Sequence, residues 1–111
     1  MSAPGGIDGE KTAKIQQRRN ELQTIVEKIG EIESDADEHR LVVKTLAEVY
    51  EREPERTCFR LVGGVLVERT VKDVLSTLQT TMDGLTKVLL ELVKQYKLKE
   101  KELLDFQRDI E

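Results

Sequence analysis

The chain has 111 residues, of which 36% are charged, 38% hydrophobic and only 4% aromatic, with no Trp and two Pro, a balance that suits a helical rod with room for one domain. Its net charge of -4 is built from interspersed acidic and basic residues, so no block has the basic excess that nucleic-acid binding needs. One cysteine excludes an internal disulfide and a multi-cysteine zinc site, and no apolar run is long enough for a signal peptide or a membrane span, so the expectation is a soluble cytoplasmic protein with no membrane partner.

The opening Met-Ser-Ala-Pro-Gly-Gly predicts a disordered N-terminal segment over 1–9, followed by a single domain over 10–111. From Glu10, Ile15, Leu22, Ile29, Ala36, Val43 and Tyr50 repeat every seven residues, with Ile25, Ile32 and Leu46 three further on. That pattern is a coiled-coil seam and predicts a helix over 10–53. The second series also contains Arg18, His39 and Glu53, so the stripe is imperfect. Pro54 then stops the helix, because it lacks a backbone donor and disfavours helical geometry at Glu53.

Residues 57–69 carry the only strand signal. Cys58–Val62 and Val65–Arg69 are rich in β-branched and large apolar residues, and Gly63-Gly64 between them supplies the positive φ angles that a two-residue hairpin turn requires. Alternate residues of a strand face opposite sides, yet neither face of this hairpin is wholly polar. A lone two-stranded hairpin is marginal in water and leaves two open edges, so strands from other chains are expected to complete it.

Thr70-Val71-Lys72-Asp73 reads as a capping box with Asp in the usual Glu place, which predicts a second helix over 70–110 starting in earnest at Val71. Its seam is cleaner. Val71, Leu78, Leu85, Leu92 and Phe106 form one series, and Leu75, Met82, Leu89, Tyr96, Leu103 and Ile110 the other, with Lys99 as the only charged member. Two helices joined by a hairpin fold back most simply as an antiparallel coiled coil. Facing residue numbers then add to 121 or 128, and a hairpin centred on Gly63-Gly64 favours 128. Burying Arg18 or Lys99 unpaired costs several kcal/mol, so both are expected to stay solvated. The coil end that carries the termini is therefore expected to be looser, and Leu98 and Leu104 add apolar surface there beyond the seam.

Enzyme chemistry needs convergent groups, and the candidates here are isolated. His39 has no further metal ligands beside it and is read as structural. Cys58 is read as a small buried strand residue in preference to a reactive thiol. Asp35-Ala36-Asp37 imitates the start of a calcium loop, but Arg40 occupies the turn glycine's place and Leu46 the twelfth position. Gly63-Gly64 lacks phosphate-loop spacing. Lys87, Lys94, Lys97, Lys99 and Lys101 are broken by Glu91, Glu100 and Glu102, which reads as a solvated helix face. No catalytic residue, metal site or cofactor is expected.

Two stretches, Asp37-Glu38-His39-Arg40-Leu41-Val42-Val43-Lys44-Thr45-Leu46 and Arg56 through Leu75, closely resemble the β-type prefoldin subunits. The resemblance covers about thirty residues at the level of motifs, with helix pattern and length agreeing over the remainder. It implies a mainly α fold with one β-hairpin that joins an inter-subunit β-barrel, within a heterohexamer of two α-type and four β-type subunits whose coiled coils hang from a double-barrel platform. It implies an ATP-independent co-chaperone that captures unfolded actin and tubulin at the coil tips and passes them to the cytosolic chaperonin. Carried over by position, Cys58, Phe59, Leu61, Val62, Val65, Leu66 and Val67 fall on barrel strands and Gly63 and Gly64 on the turn. Phe59 stands where Tyr is common. Ile15, Leu22, Leu103, Leu104, Phe106 and Ile110 are expected at the client-binding tip on periodicity alone. The alternative is a coiled-coil scaffold or adaptor whose apolar tip engages one defined folded partner.

Overall fold

A computed structural model describes the backbone of residues 6–110 and the side chains of residues 9–109. Its elements run α1 (Gly6–Arg52), β1 (Thr57–Val62), β2 (Val65–Thr70) and α2 (Val71–Ile110). Helix α1 begins at Gly6, four residues or about one turn ahead of the expected start at Glu10, so residues 6–9 of the segment expected to be disordered lie in the helix. Residues 1–5 of the expected N-terminal segment lie outside the described residues. The chain divides into two compact units: Glu33–Val88, and the segments up to Ile32 and from Leu89 onward.

The Glu33–Val88 unit is built around the hairpin. Gly63 and Gly64 take φ of 55° and 81°, the left-handed pair of a type I′ turn, whose twist matches that of the flanking strands. The strands pair antiparallel from Thr57↔Thr70 to Val62↔Val65. Because partners in an antiparallel ladder share a face, Phe59, Leu61, Leu66 and Glu68 lie on one side with Thr57 and Thr70. Cys58, Arg60, Val62, Val65, Val67 and Arg69 lie on the other.

The connections on the two sides of the hairpin are unequal. After α1, the Glu53 N–H still donates to the Val49 carbonyl at 2.7 Å, and the Arg56 N–H closes a turn onto the Glu53 carbonyl at 3.1 Å. On the other side β2 runs directly into α2. Thr70 is the N-cap, its Oγ1 accepting from the Asp73 N–H at 3.2 Å. Two further early donors of α2 are satisfied by the α1–β1 turn: Val71 N–H reaches the Arg56 carbonyl at 2.9 Å and Lys72 N–H the Pro54 carbonyl at 3.3 Å. The turn is thereby tied to the start of α2, and Val71 is 1% exposed.

The α2 seam follows its heptads closely, with Leu75, Leu78, Met82 and Leu85 half-buried. The α1 seam holds at Ala36, His39, Val43 and Leu46 and then slips, since Ala47 and Val49 are half-buried while Tyr50 is exposed. A helix of 3.6 residues per turn drifts by roughly 20° per heptad, so a stripe of strict sevens leaves the contact line by its end.

In the unit that holds the remaining parts of the helices, α1 contributes Ile15, Leu22, Ile25, Ile29 and Ile32 as half-buried residues. Helix α2 contributes Leu89, Leu92, Tyr96 and Phe106, with Leu103 buried. The helices run antiparallel, and two cross-helix ion pairs fix the register. Arg18 Nη1 lies 3.8 Å from Glu102 Oε2, and Lys99 Nζ 3.4 Å from Glu21 Oε2. Both pairs of numbers add to 120, which places Arg18 opposite Leu103 and Leu22 opposite Lys99. The register here is the one that adds to 121, and the expectation of 128 is corrected. The hairpin ladder adds to 127, but four residues intervene between α1 and β1 and none between β2 and α2, so the centre of the hairpin is no guide to the helix register.

Candidate functional site

Two surfaces stand out, one in each unit. On the hairpin, Phe59, Leu61 and Leu66 are 66%, 67% and 68% exposed, and Val62 and Val65 are also exposed on the opposite face. Cys58 is half-buried, opposite Arg69, and Val67 is half-buried opposite Arg60. Five large apolar side chains on a fourteen-residue hairpin, spread over both faces, are far more than the scattered apolar residues of an ordinary surface. The type I′ turn holds the ladder in a single register, so these side chains are presented in a fixed order along two open strand edges.

In the other unit the residues expected at the coil end separate into distinct environments. Leu103 is 6% exposed and belongs to the seam, whereas Leu104 beside it is 57% exposed. Ile15 and Leu22 are half-buried, and the side chain of Ile110 lies outside the described residues. Phe106 is half-buried beneath Arg18, whose Cζ stands 5.2 Å from the ring centroid. Arg18 and Lys99 stay partly solvated, as their seam positions require, and each also reaches a carboxylate on the opposite helix. Those partners could be found from the sequence only once the register was known.

An apolar groove lies alongside, about 290 Å³ in volume, lined by Val26, Ile29, Val93, Tyr96, Lys97 and Glu100. The Tyr96 phenol hydrogen-bonds to the Glu100 carboxylate. That bond, the carboxylate's negative charge and, least, burial hold its pKa above the usual tyrosine value. Leu104 lies one helical turn beyond Glu100.

The chemically reactive side chains do not converge. His39 Nδ1 is 2.9 Å from the Asp35 carbonyl oxygen and 3.4 Å from the Asp35 carboxylate, so the imidazole is held by its own helix. Among the described residues no cluster of three or more His, Cys, Asp or Glu side chains could hold a metal ion, and no helix is long and apolar enough to cross a membrane. The surfaces fit binding.

The fold is that of a solved relative. The crystal structure of the prefoldin beta subunit from Thermococcus strain KS-1 superposes with a TM-score of 0.80 at 18% identity, covering 99% of this chain and 94% of that one. Sequence relatives are closer. A probable prefoldin subunit 2 from Schizosaccharomyces pombe is 45% identical over 91 residues, 82% of this chain and 77% of its own length. Prefoldin subunit 2 of Homo sapiens is 41% identical over 103 residues, 92% of this chain, so that the chain spans 65% of the length of that relative. A family model described as prefoldin subunit matches residues 9–111, and with the relatives above it shows that the chain belongs to the prefoldin subunit family.

Proposed function

We propose that this chain is a β-type subunit of a heterohexameric prefoldin co-chaperone, whose hairpin enters an inter-subunit β-barrel with α-type and β-type partners. In that complex it captures unfolded proteins, actin and tubulin among them, at the coil tips and delivers them to the cytosolic chaperonin without ATP. The observation that carries this reading is the hairpin's exposed ladder of Phe59, Leu61, Val62, Val65 and Leu66, a surface that water disfavours and partner strands would cover. The second surface supports capture. Leu104, the half-buried Phe106 and the shallow groove at Val26 offer separate weak apolar contacts, which several subunits acting together convert into useful avidity.

A scaffold or adaptor that engages one folded partner would use the same helices, and breadth of clients separates the two. The assembled complex is expected to slow the aggregation of several unrelated denatured proteins, read by light scattering on dilution from denaturant, with no nucleotide present. Suppression confined to a single protein, or absent with all of them, would favour the adaptor.

A further inference from the structure

The arrangement of Arg18 over Phe106 does more than satisfy a charge at a seam position. The guanidinium carbon stands 5.2 Å from the ring centroid while the same group reaches Glu102 at 3.8 Å, so one side chain from α1 is held over an aromatic ring of α2 by a carboxylate one turn away. Around the ring lies a cavity of about 250 Å³ lined by Lys14, Gln17, Arg18, Glu21 and Phe106. Its lining is polar and its floor aromatic. Glu21 is paired with Lys99 at 3.4 Å and Arg18 with Glu102 at 3.8 Å, so the rim carries Lys14 as a further cation beside an Arg18 that is free to exchange its carboxylate.

We propose that Arg18 is a lid on Phe106, and that it gives this end of the coil a preference for client segments in which a carboxylate flanks an apolar residue. The proposal rests on the capture reading above. Arg18 and Glu102 are 39% and 51% exposed at their side chains, so the pair is screened and opens at little cost. A purely apolar segment that reaches the ring must displace a guanidinium that then keeps only Glu102. An apolar residue with a neighbouring Asp or Glu takes the ring and offers the displaced guanidinium a new carboxylate in the same step. A lysine-flanked segment meets Lys14 and Arg18 with like charge. The lid thus sorts clients by the charge beside their apolar residues, without a deep pocket.

Because the chain has no native Trp, Phe106→Trp places a single fluorescent indole at the ring position in the full-length chain. Adding Arg18→Gln is expected to shift the indole emission to the red and to increase its quenching by acrylamide, with Glu102→Gln giving a smaller change in the same direction and far-UV circular dichroism unchanged. Unaltered emission and quenching on Arg18→Gln would overturn the lid. In the second arm two labelled unstructured peptides of equal apolar content, one with Asp and one with Lys on either side of a central Phe, are titrated against the assembled complex. The Asp peptide is expected to bind about two- to fivefold more tightly, the order of a single exposed ion pair, and Arg18→Gln to erase most of the difference. Equal binding of the two peptides to the unsubstituted complex would overturn the preference. If neither peptide binds although the indole responds to Arg18→Gln, the capture reading fails, and the lid fails with it as a device for sorting clients.

Discussion

Leu61→Asp is expected to leave a chain that keeps its helices but no longer enters a hexamer-sized particle. Leu61 faces Leu66 across the ladder, both about two thirds exposed in the chain by itself, with Phe59 on the same side. Covering large apolar side chains of this kind stabilises an interface by about 1.5–3 kcal/mol each before the costs of association. A carboxylate at the centre of that patch replaces the gain with a desolvation cost of several kcal/mol, and each 1.4 kcal/mol is tenfold in affinity. The free chain should tolerate the change, because Leu61 is exposed there and buries little to lose. Gel filtration of the variant mixed with its partner subunits should show it eluting separately, with unchanged helicity by circular dichroism. A variant that still co-elutes in the large particle would remove the hairpin as the assembly surface.

The second large effect is expected at the other surface, where the structure divides residues that periodicity alone groups together. Replacing Leu104 and Phe106 with Ser should abolish most of the suppression of client aggregation while assembly persists, since Leu104 is exposed and Phe106 half-buried. Leu103→Ser is expected to act differently. Leu103 is a buried seam residue, so truncation should cost on the order of 2–4 kcal/mol of helix pairing and lower the thermal transition. Full suppression of aggregation by the Leu104/Phe106 double variant would refute the capture role of this coil end.

The sequence makes the helices, the turn and the cap legible because each is a local pattern with one solution. Sevens that persist from Val71 to Phe106 leave α2 one face to bury, Gly63-Gly64 between apolar runs admits a type I′ turn, and Thr70 with Asp73 three residues on caps a helix. The register escaped the same reasoning. A hairpin centred on its glycines suggests a symmetric return, whereas a four-residue connector at Glu53–Arg56 stands against a direct passage from Thr70 to Val71, so the turn is no guide to it. Once the register is off by a heptad, the partners of Arg18 and Lys99 are lost too, because Glu102 and Glu21 are ordinary solvated residues until the opposite helix is placed. Leu103 carries the complementary lesson. The regularity that puts a leucine at the coil end also commits it to the seam, so its apolar surface is already covered, and the residue beside it, which breaks the pattern, is the exposed one.

The measurement that tests the central claim most directly is the solution mass of this chain, by light scattering after gel filtration, alone and after mixing with an α-type prefoldin subunit and the other β-type subunits. A subunit whose hairpin is an assembly platform shifts from small species to one particle of hexamer mass. A chain that stays monomeric, or forms a self-sufficient dimer, in both samples would contradict the account and leave the helices to a scaffold.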